Sequence, residues 1–151
     1  MCLGNICRSP LAEGVFRHLV QEAGVAADFE IDSAGTGDWH VGEPPDPRAA
    51  AAALSHGVVL SGRARVVTNG DLRRFDQVIA MDRDNLEVLR EMARGHGATA
   101  RLGLLREHDP LANGQDDVPD PYYGGPSGFE DAYRIVSRSC SVLLAGLRST
   151  E

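Results

Sequence analysis

A chain of 151 residues with 42% apolar and 25% charged residues reads as one domain, 1–151, with its own hydrophobic core. No apolar run approaches the roughly 20 residues of a membrane span, and no signal-peptide core is visible, so a cytoplasmic protein with no membrane partner is expected. A net charge of −7 argues against a general nucleic-acid binder, so any anion must be held by a local field.

The opening segment, Met1-Cys2-Leu3-Gly4-Asn5-Ile6-Cys7-Arg8-Ser9-Pro10, sets a cysteine and an arginine five residues apart, with a hydroxyl next. This spacing lets one loop wrap a tetrahedral oxyanion, with Cys2 beneath it and Arg8 gripping two of its oxygens. A free thiol, with a pKa of about 8.5, is a poor nucleophile at neutral pH, but a helix N-terminus and a neighbouring arginine favour the thiolate. Gly4 and Asn5 are the residues that tolerate positive φ, and Ser9 can donate to the sulfur.

From Ser9, the steps Leu11, Val15 and Leu19, widened by Ala12, Phe16 and Val20, predict a helix stopping near Gly24. Phe29–Ser33 alternates like a short strand. The stretch from Gly35 to Pro47 is rich in turn residues and holds the only tryptophan, Trp39. Asp46 followed by Pro47 predicts a capped helix running towards Gly57. Thr68 or Asn69 is expected to cap a short helix ending near Phe75. Gln77–Met81 reads as a buried strand, Asp82 as the cap of a helix with Leu86, Leu89 and Ala93 on one face, and Thr99–Leu105 as a further strand. After a polar, Pro- and Gly-rich loop from Asp109 to Gly128, a last helix carries Phe129, Tyr133, Val136, Cys140, Leu143 and Leu147 on its apolar face. Strands alternating with helices predict an α/β fold with a parallel sheet covered on both faces. The loop feeding the first helix is where such sheets bind ligands.

The three cysteines, Cys2, Cys7 and Cys140, make neither a disulfide framework nor a paired zinc motif, and His18, His56, His96 and His108 show no ligand spacing. No metal or cofactor is expected. Cys140 reads as core. Cys7 reads equally as a packed thiol or a redox partner. His40 reads as structural or solvated. Attack on a phosphate ester needs an acid for the leaving group, and Asp120, in Pro119-Asp120-Pro121-Tyr122-Tyr123-Gly124, is the best placed of several carboxylates between Glu107 and Asp131. Tyr122 and Tyr123 could wall a slot for an aromatic ring.

The loop from Cys2 to Pro10 resembles the phosphate loop of the low-molecular-weight protein tyrosine phosphatases. Asp120-Pro121-Tyr122-Tyr123 resembles that family's general-acid motif. Asp32-Ser33-Ala34-Gly35-Thr36, Pro44-Pro45-Asp46-Pro47-Arg48 and Met81-Asp82 with Asn85-Leu86 resemble its intervening segments, in order. The resemblance implies a three-layer α/β sandwich around a four-stranded parallel sheet, and no metal. It implies Cys2 as nucleophile, Arg8 as phosphate binder and Asp120 as general acid. Leu3, Gly4, Asn5, Ile6, Cys7 and Ser9 would form the cradle, with Ser33 in support and Trp39, Tyr122 and Tyr123 at the rim. Phosphotyrosine proteins would be the substrates and inorganic phosphate the product. Ile6 favours phosphotyrosine, because relatives acting on phosphoarginine carry threonine there. The family's matching cysteine can also pair with the nucleophile, so a reversible Cys2–Cys7 disulfide is implied.

Two departures from the family stand out. Ser61-Gly62 replaces a common Ser-His pair, which puts the details of the loop's hydrogen-bond network in question. No hydrophobic strand precedes Cys2, so the first strand of the sheet is truncated or missing. The expectation is a start displaced upstream, since Met1 stands where the family commonly has valine. The alternatives are a non-catalytic phosphate-binding module with a hole in its sheet, rescued by a partner, and an arsenate reductase. The latter lacks its further cysteines between Cys7 and Cys140.

Overall fold

In the computed structural model, which describes residues 1–150, the first helix, α1, runs Arg8–Glu22 and buries Leu11, Val15, Phe16 and Val20, the face its spacing predicts. Helix α2 (Pro47–Leu54) starts on Asp46, whose carboxylate accepts the Arg48 N–H. The short α3 (Asp71–Arg74) starts from Gly70 rather than from the expected Thr68 or Asn69. Thr68 still contributes, because its N–H donates to the Asp71 carboxylate and its hydroxyl accepts the Asp71 N–H. Strand β1 (Gln77–Ala80) leads through Asp82, which caps by accepting the Asn85 N–H, into α4 (Arg83–Ala93). Strand β2 (Arg101–Leu104) and a 3₁₀ turn (Leu105–His108) precede the long α5 (Pro126–Arg148).

The architecture is α/β with a parallel sheet. Strands β1 and β2 pair in parallel, with Gln77 opposite Arg101 and Ala80 opposite Leu104. The expected four-stranded sheet takes a reduced form among the described residues. Beyond the two-stranded ladder there are single parallel bridges, Cys2 to Gly35 and Gly35 to Val66. Met1 joins these to β1: its ammonium donates to Ile79 O (2.8 Å), and its carbonyl accepts the Met81 N–H (2.8 Å). The segment Phe29–Ser33, expected as a short strand, is extended without a ladder among the described residues.

The two faces of this layer are covered by separate apolar clusters. Cys2 packs with α1, α2 and α5, including Leu11, Val136 and Cys140. Met1 points the other way, towards Leu72, Val78, Leu86 and Leu89. Asp109 anchors the polar connection into α5. It is buried, with Arg138 Nε and Nη2 donating to its two oxygens at 2.9 and 3.0 Å. The Arg138 hydrogen bonds hold its pKa below the ordinary carboxylate value. A depressed carboxylate contributes stability above its unfolded pKa of about 3.9 and loses it as pH falls through the folded value. Asp109→Asn is expected to cost about 2 kcal/mol at neutral pH and to flatten the acid limb of a denaturation profile below about pH 4.

Candidate active site

The loop between Met1 and α1 is closed by its own backbone and by one buried amide. Asn5 adopts φ 56°, so the positive-φ position is Asn5 and not Gly4. Gly4 instead allows close approach, since a Cβ there would lie 2.9 Å from His40 Cδ2. Asn5 Nδ2 donates to Ser9 Oγ (2.8 Å) and Ser33 Oγ (3.0 Å), and its Oδ1 accepts the Arg65 N–H (3.0 Å). Ser33 Oγ in turn donates to Glu13 Oε2 at 2.5 Å. This network runs through Glu13 and Arg65, and Ser61 and Gly62, where the family commonly has Ser-His, lie beside it around a small pocket shared with Asn5, Glu13 and Ser33.

At its centre, the Cys2 thiol lies buried 3.0 Å from Ser9 Oγ and accepts the Asn5 N–H at 3.2 Å. Helix α1 starts immediately after Cys7 without a side-chain cap, so its first N–H groups stay directed at the loop. Aligned donors of this kind favour an anion. Arg8 is 4% exposed, and its Nη1 donates to Asp82 Oδ2 (2.7 Å) and to Val118 O (2.9 Å). Its Nη2 lies 3.5 Å from Asp120 Oδ2. One guanidinium therefore joins the loop to the expected acid, more than a hundred residues away in sequence.

Asp120 is 40% exposed, and its other oxygen accepts the Tyr122 N–H at 3.1 Å, a turn that fixes the carboxyl over the loop. Tyr122 is half-buried, while Tyr123 is 94% exposed and meets it edge to face at 4.9 Å. Trp39 is 69% exposed, so it does not cover the core. It sits in a turn tied to the loop by Thr36 N–H to Cys2 O and Gly37 N–H to Leu3 O. Leu3 is exposed, and Ile6 and Cys7 are buried in the cluster under α1. Burial pushes the Cys7 thiol up to about 12, with Asp46 and Asp120 adding to the shift, and Cys140 is likewise raised to about 12 by burial. All three cysteines are free thiols.

Three residues join the site beyond those singled out from residue types. Asp82 was expected only as a helix cap, yet it uses Oδ1 for the cap and Oδ2 for Arg8. His40 lies against Gly4 and faces the Tyr122 ring at 6.1 Å. Arg48 chelates Asp46, donates to Tyr122 O (3.0 Å) and lies over the Phe129 ring at 4.6 Å. Since Asp46 N donates to Ile6 O at 2.7 Å, the start of α2 ties the loop to the Asp120 segment. Only the sequence match at Met81-Asp82 and Asp46-Pro47-Arg48 hinted at these positions. Asp82→Ala is expected to lower kcat/KM about tenfold or more by letting Arg8 drift, and to cost about 1 kcal/mol or more of stability by removing the α4 cap and the partner of a buried guanidinium. Steady-state kinetics with phosphate inhibition, checked against thermal melts, reads both effects.

A buried thiol ringed by inward donors, an arginine and a carboxyl on that arginine together define a cysteine-based phosphoryl-transfer site. The comparisons with known proteins agree. The family model "Low molecular weight phosphotyrosine protein phosphatase" matches residues 1–151, and the chain belongs to that family. A low molecular weight protein-tyrosine-phosphatase of Streptomyces coelicolor is 47% identical over 149 residues, covering 98% of this chain and 91% of its own. The human low molecular weight phosphotyrosine protein phosphatase is 40% identical over 145 residues, covering 95% and 90%. Among solved structures, a protein tyrosine phosphatase of Entamoeba histolytica with Hepes in its active site superimposes with a TM-score of 0.92 at 33% identity, covering 99% and 94%. A Drosophila arginine phosphatase also gives 0.92 at 33%, covering 99% and 96%.

Proposed function

We propose that this protein is a protein tyrosine phosphatase hydrolysing aryl phosphate monoesters through a phosphocysteine intermediate, on a single catalytic domain in the cytoplasm. The observation that carries this reading is the placement of Arg8, at the end of the Cys2 loop, against both Asp82 and Asp120. The phosphate dianion binds the α1 N-terminus and the Arg8 fork. Cys2 Sγ attacks phosphorus in line, and the bond to the tyrosyl oxygen breaks. Ser9 Oγ, 3.0 Å from the sulfur, supports it as attacking and then as leaving thiolate. Asp120 gives its proton to the departing phenoxide, then takes one from the water that cleaves the S–P bond, releasing inorganic phosphate.

Tyr122 meets Tyr123 edge to face and lies 6.1 Å from His40, and we assign these rings, with the exposed Trp39, to a rim that favours a flat aromatic ester. Ile6, packed beneath the loop, supports phosphotyrosine over phosphoarginine. Among the described residues no helix is long and apolar enough to cross a membrane, and the free thiols accord with a reducing compartment.

Hydrolysis of matched phosphotyrosine, phosphoserine and phosphoarginine peptides, alongside thiol-dependent arsenate reduction, tests the assignment. Turnover is expected on phosphotyrosine and p-nitrophenyl phosphate. Phosphate binding without turnover would make the chain a binding module, and arsenate reduction without ester hydrolysis would make it a reductase.

A further inference from the structure

Two arginines are buried among the described residues, and the mechanism uses one of them, Arg8. The other, Arg106, sits in the 3₁₀ turn after β2. Its Nη1 donates to Asp117 O (2.7 Å) and to Gln115 Oε1 (3.1 Å). Its Nε has no hydrogen-bond partner among the described residues and lies 3.7 Å from Asp109 Oδ2, an ion-pair distance. Burying a guanidinium is costly unless the groups around it are fixed. Here they are fixed, since Asp109 is clamped by two Arg138 donors from α5 and also accepts the Leu111 N–H.

The segment from Gln115 to Asp120 lies outside any helix, strand or turn, so its course is set by what grips its backbone. Arg106 holds Asp117 O, and the next carbonyl, Val118 O, accepts from Arg8 Nη1 at 2.9 Å. Successive carbonyls of an extended chain point to opposite sides, so the two buried arginines hold one segment from opposite flanks. The Val118 N–H donates to Met81 O (2.8 Å), and Asp117 Oδ1 accepts the Arg83 N–H (2.9 Å) at the start of α4. Asp120 follows two residues later. Pro119 fixes its own φ and restricts Val118, and Pro121 restricts Asp120 in the same way. A shift at Asp117 is therefore passed to the Asp120 carboxyl with little slack.

We propose that Arg106 is a positioning residue for the general acid: by fixing the Asp117 carbonyl, it sets where the Pro119-Asp120 segment holds its carboxyl over the phosphate loop. This role rests on the reading of Asp120 as the proton donor, and it carries the support of the site back to the end of β2 and, through Asp109, to α5. Arg106 itself touches no reacting atom. A lysine replaces it only in part, because an ammonium on a flexible stem lacks the rigid fork that reaches Asp109 and Asp117 O together. Arg8 keeps its Asp82 partner when Arg106 is lost, so the loss falls on proton delivery and not on phosphate affinity.

The test compares the parent with Arg106→Met, Arg106→Lys, Asp120→Asn and the corresponding double variants. Phenyl phosphate and p-nitrophenyl phosphate are the substrates, and inorganic phosphate is the competitive inhibitor. Arg106→Met is expected to lower kcat/KM about tenfold on phenyl phosphate and by no more than about threefold on p-nitrophenyl phosphate, with phosphate inhibition within about twofold of the parent. Simple loss of folded protein would lower both substrates alike. Arg106→Lys keeps the charge facing Asp109, is expected to fall between parent and Arg106→Met, and supplies the same ratio where the methionine variant does not fold. In the Asp120→Asn background, either Arg106 change is expected to add no more than about a twofold loss, since the group it places is gone. Parent-like rates or equal losses on the two esters in both Arg106 variants would overturn the role while leaving Asp120 as the acid, as would full additivity with Asp120→Asn. Phosphate inhibition weakened in step with kcat/KM would overturn it too, by placing the effect on Arg8. Asp120→Asn losing equally on both esters would instead remove the acid, and the role of Arg106 with it, a result visible without any change at Arg106.

Discussion

Cys2→Ser is expected to lower kcat by about 10⁴-fold or more while phosphate still binds within a few-fold of the parent affinity. The serine keeps the size and the hydrogen bonds available from Asn5 N–H and Ser9 Oγ. It leaves intact the α1 N-terminus and Arg8, which supply the anion affinity. What it removes is the polarisable thiolate, since a hydroxyl does not ionise at neutral pH without a strong base beside it. Single-turnover kinetics with calorimetry of inorganic phosphate separates the two effects. Activity within tenfold of the parent would place the nucleophile elsewhere, and loss of phosphate binding would mean that the thiol organises the loop rather than performing the attack.

Asp120→Asn is expected to reduce kcat by about 10²–10³-fold on phenyl phosphate and by less on p-nitrophenyl phosphate. The asparagine carbonyl can keep the Tyr122 N–H bond, so the loop conformation survives. The lost function is proton delivery, and a nitrophenolate leaves with less need of it. The dependence of rate on leaving-group basicity should therefore steepen in the variant. Equal losses on both substrates would mean that Asp120 acts through its contact with Arg8, which lies 3.5 Å away, and not as a proton donor.

The chemistry of the site is legible in the sequence because it is concentrated in one contiguous loop. The Cys2–Arg8 spacing, the positive-φ tolerance of the Gly4-Asn5 pair and the helix starting at the end of the loop all follow from local rules, and only the assignment within the pair shifted, to Asn5. Helices with strong periodicity, α1, α4 and α5, fall close to their expected bounds. The supporting contacts were not legible, because they are tertiary. Asp82 satisfies a cap rule on its own, and only folding shows its second oxygen on Arg8. Arg48 and His40 give no periodic signal, and their roles arise where α2 and the turn after Gly37 meet the Asp120 segment. The sheet is the reverse case. Gln77–Ala80 and Arg101–Leu104 form as expected, but Phe29–Ser33 carries a strand pattern and no ladder, since pattern sets side-chain faces while a ladder also needs a neighbouring edge.

The central claim, covalent catalysis by Cys2, is tested most directly by rapid quench of the protein during turnover of a phosphotyrosine peptide, followed by phosphorus NMR and peptide mapping. A thiophosphate linkage on the peptide containing Cys2, present in the parent and absent in Cys2→Ser, is the predicted result. Turnover with no phosphoenzyme under conditions that preserve thiophosphates, or phosphate recovered on another residue, would contradict it.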